Sequence, residues 1–258
     1  MLDQSTAKTV TFTLNGEETT APEGSTIWEA AHGRGLTIPH LCHKPAPGYR
    51  PDGNCRACMV EVKGERTLVA SCIRPVADGM EVTTDSTRAT SARKLVIELL
   101  AADQPETPHD ASSHFSDMAR ASGVEQSRFP RLDETQVPLL DASHVAMRVN
   151  LDACINCNLC VRACRDVQVN DVIGMAGRGA QSKIVFDFDD PMGVSSCVAC
   201  GECVQACPTG ALLEKSMTGA VSVNREVDSV CPFCGVGCQL TYKISNDKIV
   251  AVEGRDGP

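Results

Sequence analysis

Apolar and threonine positions alternate over residues 8–14, with Val10, Phe12 and Leu14 on one side. Period-two alternation predicts a strand with one buried face. Asn15-Gly16 follows, a pair that accepts the left-handed backbone of a tight hairpin, and a second strand runs on to Ala21. Thr26 and Glu29 then stand three apart before an apolar run, a capping box that opens a helix to about Arg34. Strands are predicted at 58–63, 66–72 and 80–84. Residues 86–102 predict a helix whose Leu95, Val96, Leu99 and Leu100 form one apolar docking face. The polar stretch 103–143, with Pro105, Pro108, Pro130 and Pro138, predicts a linker holding one helix near 115–122. Beyond it lie short strands at 145–151 and 183–188. A further pair, Thr241–Ile244 and Lys248–Val252, flanks a turn at Asn246-Asp247.

This ordinary α+β pattern is interrupted by fifteen cysteines in 258 residues. Eight of them run Cys154-x2-Cys157-x2-Cys160-x3-Cys164, then Cys197-x2-Cys200-x2-Cys203-x3-Cys207-Pro208. This is the two-cluster ferredoxin spacing written twice. In it three thiolates of each run hold one [4Fe–4S] cube and the fourth crosses to the other. The expected ligand sets are Cys154, Cys157, Cys160 and Cys207 for one cube, and Cys197, Cys200, Cys203 and Cys164 for the second. A loop with cysteines three apart wraps a cube corner and points backbone N–H groups at its sulfurs. Zinc ribbons use pairs of C-x2-C rather than triplets. Arg165 stands where proline would follow Cys164, leaving the crossover loop less rigid.

Four more cysteines, Cys42, Cys55, Cys58 and Cys72, are spaced C-x12-C-x2-C-x13-C around Gly48, Pro51 and Gly53. A loop rich in turn formers wraps something, and four thiolates suit a [2Fe–2S] cluster; a zinc-bound loop is the bland alternative. Strand, hairpin, strand and helix ahead of it begin a β-grasp arrangement. The cysteine spacing is not the plant-type one. It resembles the variant in the large iron–sulfur subunit of respiratory NADH dehydrogenase and its soluble relatives. Those relatives carry another cube on one histidine and three cysteines in the linker. Here His109 and His114 are present, but no cysteine lies between Cys72 and Cys154. That cluster is expected to be missing, with both histidines as solvent-exposed bystanders.

The last three cysteines stand in Cys231-Pro232-Phe233-Cys234-Gly235-Val236-Gly237-Cys238-Gln239-Leu240. This resembles the opening of molybdenum or tungsten bis-pterin oxidoreductases, most closely formate dehydrogenases. The resemblance implies that Cys231, Cys234 and Cys238 plus a downstream cysteine hold a cube beside the pterin. The sequence given reaches Pro258 before any fourth cysteine, so within this segment the site is expected to be incomplete: empty, holding a three-iron cluster, or taking a ligand from another chain.

Charge and composition narrow the classes. A net charge of -9 gives a nucleic-acid partner little support. Met1–Val10 has neither an apolar core nor twin arginines, and the run Leu95–Ala102 is broken by Glu98 and far too short to span a bilayer. Reduced thiolates in a cytoplasmic setting fit better than disulfides. With aromatics at only 3%, the clusters themselves are expected to staple the fold. Gly174, Gly177 and Gly179 have no strand before them, which argues against a dinucleotide fingerprint. Arg56, Arg74, Arg162 and Arg165 flank ligand cysteines, where they either offset cluster charge or sit on the surface.

The expected domains are a β-grasp [2Fe–2S] ferredoxin domain (1–85) and a helical linker (86–146), followed by a two-[4Fe–4S] ferredoxin-like domain (147–224). The start of a bis-pterin oxidoreductase [4Fe–4S] domain closes the chain (225–258). As a whole the layout resembles the N-terminal part of the large subunit of a cytoplasmic NAD-dependent formate dehydrogenase. That resemblance implies electron transfer between a molybdenum or tungsten bis-pterin site and a flavin-containing, NAD-reducing iron–sulfur partner. The pterin site would lie in a downstream domain or another subunit, and this segment would carry no catalytic residue. A stand-alone ferredoxin-like carrier, or the electron-transfer arm of a hydrogenase or NADH dehydrogenase, is the alternative.

Overall fold

Asn15 and Gly16 both take left-handed backbone, at φ 52° and 86°. They close a two-residue turn between β1 (Thr9–Leu14) and β2 (Glu17–Pro22). Left-handed residues at both corners match the twist of the strands they join. The structure, a computed structural model, describes residues 8–131, 140–217 and 222–255. Residues 132–139 of the expected linker, with Pro138, and 218–221 of the expected two-cube domain lie outside them. The chain divides into two compact units. One is Met1–Asp103 with Asp117–Leu132 and Ile155–Leu159; the other is Gln104–Ser116, Asp133–Cys154 and Cys160–Pro258.

In the first unit, β3 (Met59–Val62), β4 (Val69–Ala70) and β5 (Glu81–Thr83) complete a five-stranded sheet in the order β2-β1-β5-β3-β4. β1 and β5 pair in parallel, with Thr13 opposite Glu81. Parallel neighbours need a long crossover, and this one carries the helix α1 (Ile27–His32) and the cysteine loop. The capping box forms: Thr26 Oγ1 accepts from the Glu29 N–H at 3.1 Å, and Glu29 Oε2 accepts from the Thr26 N–H at 2.7 Å. α1 lays Ile27, Trp28 and Ala31 against Phe12, Leu14, Val60 and Val82 of the sheet. β4 is shorter than the expected strand over 66–72, keeping only its Val69 and Ala70. The chain turns at once after it, with the Ile73 and Arg74 N–H groups donating to Ala70 O. That turn delivers Cys72.

α2 (Thr87–Ala102) starts on Ser86, whose hydroxyl accepts from the Ala89 N–H at 3.2 Å. Its inward face corrects the expected one. Leu95 and Leu99 are 39% and 46% exposed, whereas Ala89, Arg93, Ile97 and Ala102 are buried. Counting apolar residues misses an arginine that anchors the helix. Arg93 Nη1 donates to Met59 O at 2.9 Å and Thr84 O at 2.5 Å, so a buried cation is satisfied by carbonyls at two strand ends.

The second unit is built from small sheets. β6 (Met147–Val149) pairs antiparallel with β9 (Leu212–Glu214), and β7 (Ile173–Ala176) with β8 (Lys183–Phe186). β10 (Arg225–Val230), β11 (Gln239–Ser245) and β12 (Lys248–Gly254) form an antiparallel meander. Three more helices lie along the chain: α3 (His114–Ala121), most of it in the first unit, α4 (Leu159–Arg162) and α5 (Glu202–Ala206). Three of the strands, β7, β9 and β10, lie outside those the pattern predicts. β10 is almost wholly exposed, so it shows no apolar period. β7 holds Gly174, and Gly177 follows in its turn at φ 76°, where an added Cβ would meet Gln181 O at 2.2 Å. Contrary to expectation a strand, β7, does precede Gly177 and Gly179, but Gly174 and Gly177 serve its hairpin with β8 and only a single 3-10 turn, Gly179–Gln181, follows. Among the described residues no helix is long and apolar enough to cross a membrane.

Arg93→Met keeps the bulk at that position but leaves two carbonyls without a donor. A loss of about 2–3 kcal/mol is expected. Urea unfolding followed by circular dichroism reads it, and an unchanged midpoint contradicts the anchoring role.

Candidate metal centres

The first cysteine loop is shaped by left-handed backbone. Gly53, at φ 66°, is buried, and a Cβ there would come 2.8 Å from Ile73 Cδ1. Arg56, at φ 58°, bends the chain between Cys55 and Cys58. Cys42, Cys55, Cys58 and Cys72 are all buried, and Cys58 and Cys72 belong to the hydrophobic core itself. The sulfurs of Cys58 and Cys72 lie 3.4 Å apart without a disulfide. Two thiolates on one tetrahedral metal, with bonds of about 2.3 Å, stand about 3.8 Å apart. Cys55 Sγ accepts from the Ala57 N–H at 3.5 Å.

Hydrogen bonds from Cys55 and Cys72 hold the Cys42 thiol down at about 2. A hydrogen bond from Cys72 brings Cys58 to about 7 against its burial. The same contacts push Cys55 and Cys72 up. Four sulfurs this close lose all their protons together only with positive charge among them, which a metal cluster supplies. Among the described residues no set of three or more His, Cys, Asp or Glu side chains has the geometry of a single bound ion. In the first loop Cys42 neighbours both Cys55 and Cys72, and Cys72 also meets Cys58. The donor set, sealed from water and all sulfur, fits a [2Fe–2S] cluster.

In the second unit, Cys164, Cys197, Cys200 and Cys203 line one small cavity with Asn170, Val172 and Ile173. This is the set the spacing predicts for the second cube. Ala199 and Gly201 flank Cys200 in left-handed backbone, at φ 59° and 80°. Asn156 and Asn158 flank Cys157 in the same way, at 52° and 67°. Both runs therefore share one local conformation. N–H groups reach the sulfurs: Ala199 to Cys197 at 3.4 Å, Val172 to Cys164 at 3.3 Å and Leu212 to Cys207 at 3.4 Å. The Asn170 amide lies 4.0 Å from Cys200 Sγ. Burial, helped by the nearby Cys200 thiol, pushes Cys203 up to about 12.

A strand pair brings the two cysteine runs together. The β6–β9 pair brings Asn150 beside Ala211, with the Asn150 N–H donating to Ala211 O at 2.7 Å and its Nδ2 to Gly210 O at 3.0 Å. The start of the first run and the end of the second are thus clamped together. α5 packs on the wide turn Ala163–Val167 that carries Cys164. Cys154, Cys160 and Cys207 lie in the second unit and Cys157 in the first.

Cys231, Cys234 and Cys238 occupy the loop between β10 and β11. The Cys231 N–H donates to Cys238 O at 2.7 Å, and Gly235 and Gly237 turn at φ 77° and 80°. Cys234 and Cys238 are exposed and Cys231 is half-buried.

Several side chains depart from expectation. His109 is half-buried rather than a solvent bystander, with Nε2 2.9 Å from both Asp152 oxygens. Gln104 brings this segment in by donating to Ala153 O at 3.3 Å. His114 is exposed, as expected. Arg74, Arg162 and Arg165 pair with the carboxylates of Glu65, Asp166 and Asp171. The Arg165–Asp171 pair braces the loop where proline is lacking. Sequence reasoning passes over Asn150, a fully buried clamp with nothing in its neighbours to mark it. It also passes over His43, whose place directly after Cys42 is the available signal.

Residues 7–87 match the 2Fe-2S iron-sulfur cluster binding domain, 153–211 the 4Fe-4S dicluster domain, and 224–257 the molybdopterin oxidoreductase Fe4S4 domain. A chain in the crystal structure of an NAD+-reducing [NiFe]-hydrogenase in the H2-reduced state is 30% identical, with a TM-score of 0.75 over 84% of this chain and 92% of that one. The protein belongs to the iron–sulfur subunit family shared by NADH-quinone oxidoreductases and NAD-reducing hydrogenases. Curated relatives in this family include the NADP-reducing hydrogenase subunit HndD of Solidesulfovibrio fructosivorans, 35% identical over 80% of this chain and 36% of that protein. NADPH-Fe(3+) oxidoreductase subunit alpha of Geobacter sulfurreducens is 31% identical over 96% of this chain and 29% of its own. The mitochondrial NADH-ubiquinone oxidoreductase 78 kDa subunit of Candida albicans is 31% identical over 80% and 28%. This chain thus spans about a third of the length of those curated relatives. The family members named here are hydrogenase and NAD(P)H oxidoreductase subunits, so the match to the formate enzymes is not specific.

Gly53→Ala adds a left-handed penalty of about 1–2 kcal/mol and presses on Ile73. Faster bleaching of the visible absorbance by an iron chelator is expected, with the added Ile73→Ala change restoring only the steric share. Equal bleaching rates overturn this account of the loop.

Proposed function

We propose that the chain conducts electrons for a formate dehydrogenase. In this reading Cys42, Cys55, Cys58 and Cys72 hold a [2Fe–2S] cluster within a β-grasp domain. Cys154, Cys157, Cys160 and Cys207 hold one [4Fe–4S] cube, and Cys197, Cys200, Cys203 and Cys164 the other. Cys231, Cys234 and Cys238 give three ligands to a further cube, completed from outside the segment. The observation that carries the formate reading is the hairpin loop Cys231–Cys238, placed directly after the two-cube module and matching the molybdopterin oxidoreductase Fe4S4 domain.

Bound clusters supply one-electron redox chemistry; the chain supplies the surroundings that set where electrons rest. Thiolates fix the clusters. The N–H groups of Ala57, Ala199, Val172 and Leu212 stabilise added negative charge on the sulfurs. Burial of Cys42, Cys58 and Cys72 keeps water from the first site. Formate oxidation at a molybdenum or tungsten bis-pterin site in a downstream domain or partner would release two electrons and a proton. A flavin-containing partner would collect the electrons in pairs and reduce NAD in the cytoplasm.

A second reading, the electron-transfer arm of a hydrogenase or NADH dehydrogenase, is favoured by the named relatives. The complex purified through this chain separates the two. Molybdenum or tungsten with formate-dependent NAD reduction supports the first; hydrogen-dependent NAD reduction without either metal overturns it for the second. Low-temperature EPR of the reduced protein is expected to give one two-iron signal and two magnetically coupled four-iron signals. A single four-iron site contradicts the crossed ligand sets.

A further inference from the structure

His43 follows Cys42 directly and is 8% exposed. Both ring nitrogens are shut off from solvent, and neither has a hydrogen-bond partner. A buried donor left unpaired costs about 1–3 kcal/mol, so its place in the core needs a reason.

The neighbours narrow that reason. Trp28 meets His43 edge-on, 4.5 Å between centroids, and its indole N–H already donates to Ile38 O at 3.1 Å. His40 lies 5.6 Å away, with Nδ1 3.1 Å from the same carbonyl. His32 stacks on Trp28 at 4.7 Å. The Glu29 carboxylate is committed to the helix cap at Thr26. The nearby oxygen acceptors are thus engaged elsewhere, the Ile38 carbonyl by Trp28 and His40 and the Glu29 carboxylate by Thr26. His43 is next in sequence to Cys42, so sulfur of the cluster that the Cys42 loop would hold is the acceptor left to it. Neutral or protonated, the imidazole has at least one N–H to donate.

We propose that His43 donates its ring N–H to a sulfur of the [2Fe–2S] site and thereby raises the reduction potential of that cluster. The inference rests on the reading of Cys42, Cys55, Cys58 and Cys72 as the cluster ligands. Its physical basis is simple. Reduction adds one electron and no proton, so the reduced site is the more negative one. A fixed N–H therefore stabilises the reduced form more than the oxidised form.

The test is a reductive titration of the full chain, monitored by EPR at a temperature where the two-iron signal alone survives. His43→Phe keeps an aromatic ring and removes the donor. Its equilibrium constant for reduction is expected to fall about tenfold, or about 59 mV for one electron. His43→Gln, which retains an N–H, is expected to fall less. A two-iron signal of normal intensity with an unmoved potential in His43→Phe overturns the hydrogen bond alone. Absence of any two-iron signal in the wild type overturns the ligand reading, and the hydrogen bond with it. Pulsed EPR of the wild type labelled with 15N-histidine reads the contact without any substitution. Coupling to one histidine nitrogen is expected, and none means that the N–H faces the Trp28 ring instead.

Discussion

Thiols packed into contact inside an apolar core cannot all shed their protons unless positive charge sits among them. The first unit is arranged around that constraint. Cys58 and Cys72 are core residues in the same sense as Val60 and Val82, and the turn after β4 exists to bring Cys72 to within 3.4 Å of Cys58. The apolar wall excludes the water and ions that would otherwise compensate the sulfurs. A metal cluster resolves the conflict by supplying the charge and occupying the space. Such a centre is then part of the fold's stability as well as its chemistry, because ligand binding to the folded state alone shifts the folding equilibrium.

The backbone meets the same demand in a second way. Residues that flank the clustered cysteines adopt left-handed conformations that side chains disfavour: Arg56, Asn156, Asn158 and Ala199 among them. Asparagine tolerates this better than most residues, and glycine best of all. Ala199 and Arg56 have no such tolerance. Their strain is retained because the turn they make points backbone N–H groups inward, as with Ala199 to Cys197 and Ala57 to Cys55. Strain held at a site by its surroundings is characteristic of functional loops.

Much of this was legible in the residue order. Cysteine spacing is local, and loop geometry follows from it. The Asn15-Gly16 turn and the Thr26–Glu29 box are likewise decided by neighbours a few residues away. What the pattern leaves unread depends on distant partners. The buried face of α2 is set by carbonyls at residues 59 and 84, which no periodicity along the helix encodes. β10 has few buried residues and gains its order from pairing with β11. Asn150 owes its buried place to Gly210 and Ala211, about sixty residues on. Hydrophobic pattern reports which face meets the core; it is silent about polar groups that bridge elements far apart in sequence.

The linker shows what such polar bridges accomplish. Without cysteines between Cys72 and Cys154, the segment has no thiolate to anchor it. It is held instead by polar contacts within the second unit. Gln104 donates to Ala153 O, His109 meets the Asp152 carboxylate, and the Phe115 N–H donates to Pro208 O at 2.8 Å. The first two contacts fall just before Cys154 and the third just after Cys207. One short stretch of chain therefore brackets both ends of the two-cube module. A histidine fixed by a carboxylate is held in one orientation, which suits a strut. The role of His109 here is mechanical: it steadies the loops on which the neighbouring thiolates sit.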